Sequence, residues 1–340
     1  MARRYEDREA DLGLLKDKRI AVVGYGNQGR AQALNLVDSG LDVVVGNRED
    51  EYRDVVRRDG LPLFSIAEAA AQADTLMLIL PDEVQAEVYE RDIAPNLRQG
   101  ATVSVAHGYT LYYGIVEPRG DLDVVLVAPK MIGEGVRTRY LDGTGFASLV
   151  GVHHDASGQA LATALAIAKG IGGMRPGAWV ATIEEETVSD LFNEQTWGAA
   201  LLAGMMESFD TLVSAGYDPD VVTLELFASG ELADVLAAAT RDGLLNGLRL
   251  HSPASQYGQL SRAPRFSSPA SRESLAAILV EIRDGRFAKE LDEVGRDEHR
   301  KIDELIETYR RHPLFDAEQR IRDAYAAVNA GSAAPDGPAS

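Results

Sequence analysis

Apolar residues in the first half of the chain come in short, β-branched runs, separated by longer stretches with helical spacing. Arg19–Val23 (RIAVV), Asp42–Val45 (DVVV), Thr75–Leu80 (TLMLIL), Thr102–Ala106 and Val124–Val127 predict strands, and Ala147–Val152 predicts one more. Asn27–Ser39 predicts a helix ended by Gly40, and Ser65-Ile-Ala-Glu68 is a capping box that opens another. Pro81 and Asp82 stop the apolar run at Leu80 and cap the helix that follows. Apolar strands alternating with helices imply a parallel sheet covered on both faces. Beyond about residue 180 the strand pattern ceases. Thr182-Ile-Glu-Glu185 is a capping box for a long helix to Ser214, stopped by Gly216 and Pro219. Further helical stretches follow at roughly 220–240, 271–283 and 297–326, with a polar segment rich in Ser, Pro and Arg at 251–272. The expected organisation is an α/β domain over 1–182, an all-α domain over 183–328 and a disordered tail over 329–340.

Charge narrows the partners. The 53 acidic residues outweigh the 34 basic ones, for a net charge of −19 over 340 residues. Such a surface argues against nucleic acid, whose phosphates need clustered Lys and Arg, and against an anionic membrane. The absence of cysteine removes disulfides, thiolate zinc sites, Fe–S clusters and cysteine nucleophiles together. The opening MARRYEDREADLGLL has no apolar signal core, and no apolar run approaches the ~18 residues of a membrane span. A cytoplasmic protein is expected.

The first strand runs into Gly24-Tyr25-Gly26-Asn27-Gln28-Gly29 and then a helix. This is G-x-G-x-x-G in the strand–turn–helix context that a dinucleotide requires. The first glycine allows the turn, the second lets a pyrophosphate approach, and the third lets helix and strand pack closely. The phosphates then face the unpaired N–H groups of the helix start. Pro81 and Asp82, after a later strand, are assigned to the same cofactor edge. The second strand ends at Gly46-Asn-Arg48-Glu-Asp50-Glu51-Tyr-Arg53. Asp50 and Glu51 suit the ribose hydroxyls of NADH, while Arg48 and Arg53 suit the 2′-phosphate of NADPH. Three consecutive acids repel a phosphate, so NADH is the favoured reading.

On the long helix, Glu186, Asp190 and Glu194 fall at i, i+4 and i+8 and share one face. No Lys or Arg occurs between Gly177 and Arg241, so these acids have no basic partner nearby in sequence. A stripe of this kind is either a solvated face or a seat for a hard dication such as Mg²⁺. Trp197, Leu201, Met205 and Met206 run at helical spacing and read as core or dimer interface.

The chain resembles ketol-acid reductoisomerases (acetohydroxy acid isomeroreductases) of the short, class I form, from about Tyr5 to Tyr325. The stretches that carry the likeness are GYGNQGRAQALNLVDSG (24–40), LPDEVQAEVYERDIAPNL (80–97), AHG (106–108), APK (128–130), HHDASGQA (153–160), AKGIGG (168–173), EEETVSDLFNEQ (184–195) and SQYG (255–258). The resemblance implies a Rossmann domain followed by a knotted helical domain, dimerised through its helices. It implies two Mg²⁺ ions and NAD(P)H. They serve conversion of 2-acetolactate or 2-aceto-2-hydroxybutyrate to 2,3-dihydroxy acids in branched-chain amino acid synthesis. By the same resemblance, Asp190 bridges the metals, Glu194 completes one of them, and Glu225 is a ligand contributed across the dimer. Ser252 contacts the substrate carboxylate, and His107 and Lys130 orient water and move protons.

Three positions depart from that family's pattern. Ser229 stands where a second metal-ligand glutamate usually follows Glu225 by four residues. Glu231, six residues on, is expected ~240° round the helix and on the wrong face. Met131-Ile-Gly133 replaces Gly-Pro-Gly, and Gln256 and Pro253 flank the serine motif unusually. The departures gather near the expected reaction centre. They keep two further readings open: a relative that only reduces or only isomerises a related acid, and a dinucleotide-binding protein without catalysis.

Overall fold

The six expected strands pair, together with three short ones the pattern did not predict, into one nine-stranded sheet. Its strands are β1 (Arg4–Tyr5), β2 (Arg19–Val23), β3 (Asp42–Gly46), β4 (Leu63–Phe64), β5 (Thr75–Leu78), β6 (Thr102–Val105), β7 (Asp123–Pro129), β8 (Ser148–His154) and β9 (Ala178–Val180). The computed structural model describes residues 1–294 and 298–332. The expected tail lies, from residue 333 on, outside the described residues. Two compact units make up the chain, Met1–Asp190 and Leu191–Ser340.

In the first unit the strand order is β1-β9-β8-β7-β6-β5-β2-β3-β4. The run β4-β3-β2-β5-β6-β7 is parallel throughout and has the doubly wound order, reversing between β2 and β5. The expectation of a wholly parallel sheet is corrected at one side. β8 is antiparallel to β7, with Pro129 opposite Ser148, and β1 is antiparallel to β9. The connection between β7 and β8 starts and ends at the same edge, since the Lys130 N–H donates to the Ala147 carbonyl at 2.9 Å. A strand that re-enters at the edge its predecessor left must run backwards. Apolar content reports burial and carries no direction, so the pattern could not reveal this.

Alternation within each strand feeds two cores. Ile20, Val22, Met77, Val125 and Val127 join one cluster, covered by α1 (Asn27–Asp38) and Ala160–Gly170. Ala21, Val23, Leu76, Leu78, Val124 and Leu126 join the other, covered by Ile66–Gln72 and Asp82–Val88. Both capping boxes form: the Glu68 N–H donates to Ser65 Oγ at 3.3 Å, and the Glu185 N–H to Thr182 Oγ1 at 3.0 Å. The register aligns Val23 with Gly46 and Leu78, and Leu78 with Val105. The turns after β2, β3, β5 and β6 therefore emerge at one edge, where ligands bind in such sheets.

Among the described residues no strand follows Val180. α2 (Ile183–Asn193) leads into a π-helical turn, Glu194–Gly198, and then α3 (Ala199–Ser214). The second unit continues through Pro219–Thr223, a π turn at Leu224–Ala228, and Glu231–Asp242. The polar segment at 251–272 is largely helical, with Pro253–Arg262 capped by Ser252 and Pro269–Arg283 capped by Ser268. The last expected helix is two, Glu298–Arg310 and Pro313–Ser332. Phe209, Val222, Leu314 and Ala317 form this unit's buried cluster, and Arg320 clasps Asp220 beside it at 3.0 Å from Nε.

Candidate active site

The glycine turn is built as its residue types require. Gly24 has φ +96°, and a Cβ there would collide with the Ile79 carbonyl. A Cβ at Gly29 would collide with the Gly24 carbonyl, whereas one at Gly26 would meet nothing within 4 Å. Gly26 is also the N-cap of α1 and offers no side-chain cap. The result is an open cradle above an uncapped helix start, a fit for a pyrophosphate. Tyr25 contributes backbone only: its ring is buried and its hydroxyl donates to Asp59 Oδ2 at 2.9 Å. Arg30 grips both Asp59 oxygens at 2.7 and 2.9 Å. That grip, against some cost of burial, holds the Asp59 carboxyl below its usual range. Asn27 opens α1, and Gln28 donates through Nε2 to the Met131 carbonyl at 2.8 Å.

After β3, Asp50 organises the loop. Its carboxylate accepts from the Asn47 amide at 2.7 Å, the Tyr52 N–H at 3.1 Å and Arg48 Nε at 2.8 Å. Arg53 pairs with Glu49 at 2.7 Å. Both arginines of this loop are thus already neutralised by its own acids. Glu51 is exposed at the N-cap of the helix Tyr52–Arg58. Pro81 is the N-cap of Asp82–Val88, and Asp82 accepts from Gln85 Nε2 at 3.0 Å. Burial pushes the Asp82 carboxyl up to about 6, against the pull of nearby His107.

Glu186 is the hub of the site. Its side chain is 1 % exposed, and it holds three donors: Lys130 Nζ at 2.9 Å, His107 Nδ1 at 3.1 Å and the Gly108 N–H at 2.9 Å. Lys130, just past β7, also donates to Asp190 Oδ1 at 3.0 Å. Asp190 Oδ2 stands 3.8 Å from His107 Nδ1. A Cβ at Gly108 would collide with Thr187 Oγ1, so only glycine lets α2 approach this closely. Burial opposes charge on Glu186, Lys130 and His107. For Glu186, the bond from His107 and the charges of His107 and Lys130 outweigh it and hold the carboxylate below its usual range. For Lys130, the charges of Glu186 and Asp190 outweigh it and raise the ammonium. His107 is raised in the same way by its bond to Glu186. The site carries its charges as a bonded set.

Sequence reasoning placed Glu186 on the carboxylate stripe and left it out of the expected site. Its basic partner was sought nearby in sequence and lies 56 residues away, just past β7. The signal that could have found it is the pairing of AHG and APK, one at the end of each of two adjacent parallel strands. The structure brings His107, Lys130 and Asp190 together around Glu186. Glu194 opens the π turn after α2, and Glu225 lies in the π turn Leu224–Ala228. Such turns re-aim side chains and recur at functional sites. Ser252 caps its helix by accepting from the Ser255 N–H at 3.3 Å. Ser229 accepts from the Glu231 N–H at 3.4 Å. The helical-wheel argument against Glu231 is corrected: Gly230 has φ +89° and breaks the helix, so Glu231 begins a new one.

The donor chemistry suits a hard dication in part. His107, Glu186 and Asp190 offer atoms within 4.8 Å of one another. Glu186 is taken up by Lys130, His107 and Gly108, so it positions them. Asp190, about one-third exposed, accepts from Lys130 through Oδ1, which leaves Oδ2 as a carboxylate oxygen that could take a hard cation.

Residues 14–177 match the family model described as acetohydroxy acid isomeroreductase, NADPH-binding domain. Residues 183–327 match the model for the ketol-acid reductoisomerase C-terminal domain. The chain is 42% identical over 320 residues to the ketol-acid reductoisomerase (NADP(+)) of Pyrobaculum calidifontis, covering 92% of this chain and 96% of that one. It is 41% identical to that of Pyrobaculum neutrophilum, with the same coverage. A solved NADH-preferring ketol-acid reductoisomerase from an uncultured archean superposes with a TM-score of 0.90 at 32% identity, covering 94% of this chain and 98% of that one.

Proposed function

We infer the function from one premise: the chain belongs to the ketol-acid reductoisomerase family. We propose that it converts 2-acetolactate or 2-aceto-2-hydroxybutyrate to the 2,3-dihydroxy acid in the cytoplasm, for branched-chain amino acid synthesis. The observation that carries this reading is the buried Glu186 holding Lys130 and His107 beside Asp190 at the sheet edge that bears the dinucleotide turn.

Asp190 and Glu194 would hold Mg²⁺, with Glu225 a ligand across a dimer. Bound dications supply Lewis acidity to the adjacent ketone and hydroxyl oxygens. The dinucleotide supplies reducing equivalents for the rearranged keto acid. The chain's own groups do the rest. Lys130 keeps a protonated Nζ where it can donate to a substrate oxygen, because two carboxylates hold it charged. His107 is fixed through Nδ1 by Glu186, which leaves its other ring nitrogen to orient water or relay a proton. Ser252 would bind the substrate carboxylate. NADH is favoured over NADPH, since a 2′-phosphate would have to displace Asp50 from Arg48 or Glu49 from Arg53. A homodimer is supported by large apolar side chains left exposed in the second unit, among them Leu244, Leu245, Tyr257 and Phe266.

Ser229 favours a second reading. Its hydroxyl serves the next helix and is a poor Mg²⁺ ligand, so a reductase without the migration step is the rival. The test is cofactor oxidation, followed by the loss of the reduced nicotinamide's absorbance, with Mg²⁺ and either 2-acetolactate or 3-hydroxy-3-methyl-2-oxobutanoate. Oxidation with both supports the full reaction. Oxidation with the rearranged acid alone supports the rival. Silence with both refutes the two.

A further inference from the structure

The loop Met131-Ile132-Gly133 joins the two functional loci of the first unit. On one side it follows Lys130 directly. On the other, the Met131 carbonyl accepts from Gln28 Nε2 at 2.8 Å, and Gly133 packs so tightly that a Cβ would collide with the Asn27 carbonyl. Asn27 and Gln28 are the first residues of α1, where a pyrophosphate would sit. The loop is therefore pinned between the phosphate cradle and the Lys130–Glu186 cluster, the span a bound dinucleotide crosses if its reducing end meets that cluster.

Ile132 is the anomaly in it. The loop is held at both ends, yet this isoleucine is 73% exposed. It is also the N-cap of the helix Gly133–Leu141, with no side-chain cap bond. Ser, Thr, Asp or Asn at that position stabilises a helix, and an isoleucine does not. A residue that forgoes a cap and leaves a large apolar side chain in water, beside a ligand cradle, breaks two local rules at once. Such breaks gather at functional positions. Single exposed apolar residues are ordinary on a surface, and the pinned position is what separates this one.

We propose that Ile132 is a cofactor-clamping residue: its side chain packs on the nicotinamide-side ribose and ring of the bound dinucleotide and sets affinity for the reduced cofactor. This rests on the proposed dinucleotide-dependent function. Capping and clamping make opposite demands, which gives a discriminating test. Dissociation constants for NADH and NADPH are measured by calorimetry on the full-length protein without substrate, alongside thermal melts, for wild type, Ile132→Ser, Ile132→Ala and Ile132→Leu. The serine supplies the missing cap, so its Tm should rise while cofactor binding weakens roughly tenfold, the loss expected for one apolar contact. Alanine should weaken binding similarly, and leucine should keep it. The proposal is overturned by unchanged affinity in the serine and alanine variants, or by a serine variant that loses stability and affinity together. A wild type that binds neither dinucleotide would sink the functional reading itself, and is read separately from the variants.

Discussion

The two units solve the burial problem differently. In the first, both faces of the sheet are closed by the chain's own helices, and strands such as β2, β5 and β7 are buried almost throughout. In the second, the buried cluster is small, while Leu244 and Phe266 are 72% and 84% exposed. The first unit has the core of an independent domain. The second leaves large apolar side chains in water, the surface on which the proposed dimer rests. The lesson concerns where chemistry is kept. The cofactor turn and the Lys130–Glu186 cluster sit on the unit with the larger core, and the remaining expected carboxylates, Glu194 and Glu225, sit on the other.

That contrast can be broken most severely at Lys130. Lys130→Met should lower kcat on the order of 10³-fold, as loss of a positioned proton donor does, while calorimetry finds the cofactor still bound. Loss of cofactor binding as well would mean that the cluster and the cradle are one site. Next is Leu245→Asp, which places a charge on the exposed apolar face. Sedimentation should shift from dimer to monomer with activity lost and the first unit still folded by hydrogen exchange. An active monomer would show that the second unit is complete alone.

Smaller effects test the first unit's independence. Asp59→Asn removes the charge and one of the two acceptor oxygens that Arg30 and Tyr25 share, and should cost about 1–3 kcal/mol in a thermal melt. Because the folded Asp59 carboxyl lies below its unfolded value, its stabilisation is present above that unfolded value and fades as pH falls through the folded one. The wild type should therefore lose stability below about pH 4, and the variant should show a shallower acid slope. An identical slope would remove Asp59 from the account. Smallest of all, Asp50→Asn frees Arg48 and should shift kcat/KM toward NADPH a few-fold. A shift toward NADH would reverse the assignment of that loop.

Much of the first unit was legible because its signals are local. RIAVV before GYGNQG fixes a strand, a turn and a helix within a dozen positions, and both capping boxes form as their spacing requires. What escaped the sequence is non-local. The backward β8 depends on where a connection returns. The partner of Glu186 depends on which strands become neighbours, and a search along the sequence could not meet Lys130. The π turns at Glu194 and Glu225 also escaped, since a ~100° wheel assumes regular helix. For the same reason the argument placing Glu231 failed at Gly230. His107 and Lys130 were legible only through resemblance, and spacing placed Asp190 on a stripe that could equally be a solvated face.

The central claim is that Glu186 positions Lys130 and His107 for chemistry and takes no part in holding the cofactor. The measurement that meets it most directly is kcat with 2-acetolactate, paired with the NADH dissociation constant, for Glu186→Gln against wild type, with a melt to establish folding. The account predicts a folded variant with kcat reduced on the order of 10²-fold or more and cofactor affinity unchanged. A folded Glu186→Gln protein that turns over at the wild-type rate would contradict it.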